Sequence, residues 1–520
     1  MKIVPPFVNE PLTDFSKPEN RDKQAQAIAA VLQSKGKDYP LVIGGKRIQA
    51  GATFDSTNPA RPAEVLGRFQ KADAKLAEAA VEAAEKAFES WRWHSAKERA
   101  IFLMRTASIM RQRKFHINAW MVLEIGKNWV EADADTAEAI DFCEFYARDM
   151  IRLSEHQDMT TLPGQALELK YIPLGVGVVI PPWNFPCAIL TGMTVAAVVA
   201  GNTVVLKPAS DTPGIAWAVF ECLEEAGLPP GVVNFLTGPG AIAGETLVKH
   251  PKTRFISFTG SKEVGLHIFE NAAKTAPGQI WLKRTVLEMG GKDFIVVDEE
   301  ADLDIAVPAA FASTWGFQGQ KCSACSRLIL HEKIHDEFLK RFIPMVEKIA
   351  IGDPADPAVY LGPVANKGSY EKILAYIETG KKDGAKLLAG GKKWGKDGYF
   401  IEPTVFSGCK ADHTIVKEEI FGPVLAVLKA GTFEESIRLA NDTEFGLTGA
   451  LITRNREKIL EGKKKLHCGN LYINRKCTGA LVGAHPFGGF NMSGTDSKAG
   501  GRDYLLLFTQ GKSIGEKIIG

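Results

Sequence analysis

The chain has 520 residues, 45% of them hydrophobic and 24% charged, with 50 glycines and a formal net charge of +2. That length exceeds one ordinary core and fits two to four domains. The near-neutral charge excludes a global electrostatic case for nucleic acid, and the densest basic run, Lys463 to Lys465, reads as a solvated helix face.

The N-terminal stretch MKIVPPFVNEPLTDF carries two prolines, then Glu10 and Asp14, and lacks the unbroken apolar run of a signal peptide. The first fifty residues read as an arm followed by short strands. Asp73 then caps a helix in which Leu76, Ala80, Ala84 and Phe88 recur at helical spacing. Further helices are predicted over Arg99–Arg113 and Ala132–Leu153.

From about residue 170 short β-branched runs alternate with helical patterns. GVGVVI (175–180) reads as a strand followed by a Pro-rich loop. Ala188–Leu206 is apolar enough to suggest a membrane span, but Gly201-Asn202 splits it and Pro186 and Pro208 bracket it. A buried helix, a tight turn and a buried strand, TVVLKP (203–208), explain it more simply. Thr212–Ala226 is predicted as a helix ending at Gly227, VVNFLTG (232–238) as a strand, Ile242–Lys249 as a helix and RFISFTG (254–260) as a strand. A second run begins at FIVVD (294–298) and continues through RLILHEK (327–333), a helix at Asp336–Ile349 and LAVLKAG (425–431). In the first run the alternation implies βαβ units, a parallel sheet and a dinucleotide-binding style of fold, and two α/β domains in sequence fit the length. The tail, Tyr504–Ile519, alternates apolar and polar residues and reads as a strand added to another element or another subunit.

Several residues are candidates for chemistry, each with a bland alternative. Gly238-Pro-Gly240 with Gly244 follows a strand and resembles a phosphate loop, or is an ordinary Gly-rich turn. Thr259-Gly260-Ser261 ends a strand where Ser261 caps the next helix, whose free N–H groups suit a pyrophosphate. Lys207 sits at the C-terminal end of a predicted central strand, where open parallel sheets bind ligands, or is a surface lysine. Eight irregularly spaced cysteines suit free thiols in a reducing, cytoplasmic setting. In GFQGQKCSACSR (316–327), small or polar neighbours leave Cys322 accessible; one CxxC without a second pair is poor evidence for zinc, and no metal is predicted. In LEMGGKD (287–293), the Gly290-Gly291 pair lets Glu288 be held at a cleft wall as a base, or Glu288 is simply solvated.

Together these segments resemble the aldehyde dehydrogenase superfamily from about residue 40 to the end. PPWNFP (181–186), LKPASDTP (206–213), FTGS (258–261), LEMGGKD, GQKC (319–322), EEIFGPV (418–424) and PFGG (486–489) occur in the family's order and approximate spacing. The resemblance implies that Cys322 attacks the aldehyde, that Asn184 and the Cys322 backbone N–H hold the oxyanion, and that Glu288 activates water against a thioester. It implies NAD as cofactor, bound by Ile180, Pro181, Pro182, Trp183, Lys207, Ala209, Ser210, Gly240, Thr259, Gly260, Ser261, Val264, Glu419 and Phe421. Ser210 stands where many NAD-preferring members carry Glu, so NADP is expected to be tolerated.

Within the superfamily the resemblance is closest to the Δ1-pyrroline-5-carboxylate dehydrogenases, which oxidise glutamate γ-semialdehyde to glutamate in proline breakdown. The long arm, AEAIDF (137–142) and CTGALVGAHPFGG (477–489) carry it. It implies substrate binding by Gly479, Ala480 and Ser323 at the α-carboxylate, Glu138 at the α-ammonium, and Phe185 and Phe487 along the chain. Cys325 is read as structural. The family's architecture implies an arm and NAD-binding domain (1–159 and 176–289), a catalytic domain (290–484) and an oligomerisation segment (160–175 with 500–520), hence a homo-oligomer of at least two subunits with no membrane partner. Alternatives are another small amphiphilic aldehyde as substrate, a Cys322-dependent thioesterase or acyl-transferase, and a non-catalytic binding protein.

Overall fold

Buried β-branched runs alternating with helices resolve into two seven-stranded sheets in the computed structural model, which describes residues 5–519. The first has the order Arg284–Glu288, Thr253–Thr259, Val176–Ile180, Thr203–Leu206, Val233–Phe235, Leu41–Ile43, Lys46–Ile48. Its five leading strands are parallel; the last two join antiparallel. The second sheet runs Lys386–Ala389, Thr404–Ser407, Val424–Ala430, Cys325–His331, Asp293–Val297, Thr448–Ile452, Asn470–Ile473, parallel except at Lys386–Ala389. Thr203–Leu206 and Asp293–Val297 are buried along their whole length, as parallel strands covered on both faces must be.

The apolar stretch after residue 187 is a buried helix, Ala188–Val199, a turn through Gly201 at φ +95°, and the strand Thr203–Leu206. Among the described residues no helix is long and apolar enough to cross a membrane. Asp73 caps its helix through the Leu76 N–H at 2.9 Å. The predicted strand-forming tail differs in part: Tyr504–Phe508 is a buried 3₁₀ turn, and Thr509–Lys517 then pairs antiparallel with Gln165–Pro173 of the same chain. The predicted helix over Ile242–Lys249 begins as a wide π-helical turn, Gly240–Gly244, before Glu245–Lys249.

The first fifty residues need correction. Between the arm and the short strands lies a helix, Pro18–Gln33, that the pattern did not suggest. Only Gln24, Ile28 and Val31 are buried on it, and no side chain caps it. Tertiary packing on the helix Lys114–Ile125 supplies its stability, with the Gln24 amide donating to the Phe115 carbonyl at 3.1 Å.

Candidate active site

The chain enters the site through a strained turn. After the helix Leu303–Trp315, Phe317 and Gln318 take left-handed conformations (φ +48° and +56°) that cost non-glycine residues about 1–3 kcal/mol each. The surroundings hold them there. Gln318 Nε2 donates to the carbonyls of Gly126 (2.9 Å) and Pro363 (2.8 Å), and the Gln320 amide oxygen accepts from Ala365 N–H at 2.9 Å. Cys322 follows, just before the strand Cys325–His331. Of the eight free cysteines it alone is half-exposed; the other seven, Cys325 included, are buried.

Asn184, in the loop after Val176–Ile180, is buried, and its Nδ2 donates to the Gln320 carbonyl at 3.1 Å. That bond ties the loop of the candidate oxyanion donor to the turn of the candidate nucleophile and leaves one amide hydrogen free. Glu288 ends the strand Arg284–Glu288, beside Thr259 of the neighbouring strand. Its Oε1 accepts from the Ser497 hydroxyl, while Oε2 is buried with no protein partner. Burial pushes its pKa up to about 8, with Ser497 and Lys498 opposing. Burial also drives the Cys322 thiol well above its ordinary value, and Asp293, Glu419 and Glu288 add to it. The resting sulfur is therefore a thiol that needs a base. Gly291 makes the close packing possible: a Cβ there would lie 2.4 Å from the Cys322 carbonyl oxygen.

The cofactor candidates lie mainly along the C-terminal edge of the first sheet. Ile180 ends one strand beside Phe258, and Thr259 leads through Gly260 to Ser261, which caps Lys262–Ala273 through the Val264 N–H at 3.4 Å. Lys207 follows the strand Thr203–Leu206; it is buried, yet its ammonium donates only to the Pro208 carbonyl at 3.3 Å. Burial lowers its pKa to about 8. An under-partnered buried cation at a strand end fits the ribose hydroxyls of a dinucleotide, so the residues present suit NAD. Later in the chain, Glu419 Oε1 accepts from Gly291 N–H at 2.9 Å, and Phe421, left-handed at φ +60°, meets Trp183 edge-on with ring centroids 5.3 Å apart. Ala209 is partly buried beside Lys207 and Pro208, Ser210 is exposed, and a Cβ on Gly240 would meet nothing within 4 Å.

The substrate candidates come from several separate segments of the chain. Ser323 is buried, and its carbonyl accepts from the Thr448 hydroxyl (3.3 Å) and the Cys477 thiol (3.4 Å), joining the nucleophile segment to the loop that bears Gly479 and Ala480. Phe185 lies under the Lys127 ammonium, 4.0 Å from its ring centroid. Glu138, on the helix Trp129–Leu153, is pushed up to about 8 by burial and Asp135, with Lys127 and Lys321 opposing. Phe487 pairs through its backbone with Ala499. The sequence reading missed Ser497, Gln320, Lys127 and Asp135. Each lies far along the chain from the residue it supports, or is an unremarkable polar residue in a motif.

The chain matches the Aldehyde dehydrogenase family over residues 47–514. It is 54% identical over 514 residues to 1-pyrroline-5-carboxylate dehydrogenase 2 of Bacillus subtilis and 53% to 1-pyrroline-5-carboxylate dehydrogenase of Geobacillus thermodenitrificans, in each case covering 99% of this chain and 100% of the relative. Its structure is similar to that of 1-pyrroline-5-carboxylate dehydrogenase from Thermus with bound NAD (TM-score 0.97, 49% identity, 99% and 100% covered). It is also similar to betaine aldehyde dehydrogenase from Staphylococcus aureus in complex with NAD+ (TM-score 0.89, 31% identity, 95% and 98% covered). The chain belongs to the aldehyde dehydrogenase family.

Proposed function

We propose that the protein oxidises L-glutamate γ-semialdehyde, the open form of Δ1-pyrroline-5-carboxylate, to L-glutamate with NAD, the second step of proline degradation. The observation that carries the reading is the position of the one reachable thiol, Cys322, between Asn184, Glu288 and Glu419. The named relatives, more than half identical over the whole chain, support the substrate.

The Cys322 sulfur bonds to the aldehyde carbon as its proton passes to a base, for which the buried Glu288 carboxylate is the candidate. The free Asn184 amide hydrogen and the Cys322 N–H receive the developing oxyanion. When bound, the dinucleotide supplies the two-electron acceptor that turns the Cys322 thiohemiacetal into a thioester. Lys207, Ser261 with its helix start, Glu419 and Phe421 hold that cofactor, together with Ile180, Pro181, Pro182, Trp183, Ala209, Gly240, Thr259, Gly260 and Val264. Once it has released the thiol proton to solvent, Glu288 takes a proton from the water that attacks the thioester; the Cys322 sulfur leaves as thiolate and is reprotonated as the carboxylate product departs. Gly479, Ala480 and Ser323 bind the substrate carboxylate, Glu138 faces its ammonium, and Phe185 and Phe487 flank the chain between. An arriving ammonium favours ionised Glu138, whose carboxyl is otherwise held near pKa 8.

Ser210, exposed and uncharged, leaves NADP tolerated beside NAD. The domain division proposed is 1–159 with 176–289, then 290–484, supported by a change of sheet between Glu288 and Asp293. Residues 160–175 and 500–520 form the oligomerisation segment of at least a dimer, because a two-stranded ribbon is marginal on its own. Eight free cysteines support a cytoplasmic setting.

The test is a spectrophotometric assay with Δ1-pyrroline-5-carboxylate and NAD beside propanal and succinate semialdehyde, repeated with Cys322→Ala. Reduction of NAD with a clear preference for the first substrate, absent in the variant, is expected. Equal turnover of propanal, or activity in Cys322→Ala, overturns the reading.

A further inference from the structure

The N-terminal arm lies between the helix Trp129–Leu153 and the loop that follows Cys477. Asn9 Nδ2 donates to Asp141 Oδ2 at 2.7 Å and to the Val482 carbonyl at 3.0 Å, partners 132 and 473 positions away. Both partners offer only lone pairs, so the amide nitrogen must face them and both its hydrogens are committed. Beside it, Glu10 N–H donates to Asp141 Oδ1 at 2.6 Å, and Thr13 holds Asp133 through its N–H (2.7 Å) and hydroxyl (2.6 Å). Phe7 meets Phe145 of the helix edge-on at 5.3 Å. A Cβ on Gly483 would lie 3.1 Å from the Phe145 ring and 3.2 Å from the Phe7 ring, so arm, helix and loop touch at one point.

The two elements that Asn9 joins carry the two halves of the proposed amino-acid recognition. Glu138 stands three residues before Asp141, one turn along the same helix face. Gly479 and Ala480 lie just before Val482 in the loop. We propose that Asn9 is a positioning residue that fixes the spacing between Glu138 and the Gly479–Ala480 loop, and so sets selectivity for aldehydes bearing an α-amino acid head-group. The inference rests on the substrate reading above.

Other contacts keep the fold when Asn9 is changed. Arg475 donates to the carbonyls of Thr478 (2.9 Å) and Gly479 (3.1 Å), Gly483 N–H donates to the Gly500 carbonyl at 2.9 Å, and Asp141 retains the Glu10 N–H. Losing Asn9 removes the one bond between the Val482 carbonyl and the arm, while the Glu10, Thr13 and Phe7 contacts keep the arm docked.

The experiment is steady-state kinetics of the full chain as parent, Asn9→Ala, Asn9→Asp and Asn9→Gln, with Δ1-pyrroline-5-carboxylate and propanal, alongside thermal melts. For Ala and Asp, KM for Δ1-pyrroline-5-carboxylate is expected to rise about tenfold, the scale of one or two lost hydrogen bonds. kcat/KM for propanal and KM for NAD should stay within about twofold, the scatter of substitutions that remove no interaction. Asn9→Gln, which keeps both donors, should recover part of the selectivity. Proportional losses on both substrates, or an unchanged KM for Δ1-pyrroline-5-carboxylate, overturn the inference while an active parent leaves the substrate reading standing. A parent inactive on Δ1-pyrroline-5-carboxylate overturns both. If Ala or Asp melts early, the Gln variant decides alone: a KM for Δ1-pyrroline-5-carboxylate above the parent's with kcat/KM for propanal unchanged supports the inference, and an unchanged KM or proportional losses on both substrates overturn it.

Discussion

Lys127 Nζ lies 2.7 Å from Asp135 Oδ2, and neither side chain is exposed to solvent. The same ammonium faces the ring of Phe185 at 4.0 Å and that of Phe317 at 4.7 Å, while Asp135 Oδ1 accepts from the Ala188 N–H at 2.6 Å. One buried ion pair therefore braces both the loop bearing Asn184 and the turn leading to Cys322. Lys127→Met strands a buried carboxylate and is expected to cost about 3–5 kcal/mol. Denaturant unfolding measures that loss, and kcat should fall with it because both loops lose a support.

Glu288 predicts the pH dependence. Its carboxyl titrates near 8 because burial outweighs the Ser497 hydrogen bond. A base must be ionised to work, so thioester hydrolysis should rise with pH through about 8 and level off above it. Glu288→Gln should flatten that limb and slow the step by about 10²–10⁴-fold. Ser497→Ala removes a donor that favours the ionised form and should move the limb to higher pH. The stability sign is the reverse: the folded pKa is raised, so this group's contribution is full below 4.5 and lost as pH climbs through 8. Rate profiles and melts across that window check both signs.

Asn184→Ala removes one of two proposed oxyanion donors. A fall of about 10²–10³-fold in kcat, roughly 2.7–4 kcal/mol, is expected with little change in KM. Pre-steady-state rates of NAD reduction separate this from an effect on hydrolysis.

The proposed cofactor contacts of Lys207 and Ser210 are open to substitution. Lys207→Ala should raise KM for NAD while leaving the turnover of bound complex nearly intact, since the proposed contact of the ammonium is with the ribose and not with the reacting atoms. The parent should use NADP within about a thousandfold of its kcat/KM for NAD, and Ser210→Glu should widen the gap by about tenfold or more through repulsion of the 2′-phosphate. Parallel titrations with the two dinucleotides measure each change.

Strands such as Val176–Ile180 and Thr203–Leu206 were legible because continuous burial forces continuous apolar sequence. The Asp73 and Ser261 caps were legible because capping is local chemistry. The helix Pro18–Gln33 was not, since its mostly exposed surface leaves little periodic pattern. Cys322, Glu288 and Asn184 could be singled out from their motifs, yet the residues that tune them could not. Ser497 meets Glu288 across 209 positions and Asp135 reaches Ala188 across 53, and no local pattern encodes either encounter.

The ribbon of Gln165–Pro173 with Thr509–Lys517 has a consequence for biosynthesis. The Asn202 amide donates to the Phe508 carbonyl at 2.9 Å, and Arg284 donates to the carbonyls of Leu506, Leu507 and Thr509, so the first sheet is also fastened by this late-made segment. At ~5–20 residues per second, the first strand of the ribbon waits roughly 20–70 s on the ribosome for its partner. Throughout that interval the nascent chain presents an unpaired strand edge, the feature that chaperones shield and that aggregating chains seize.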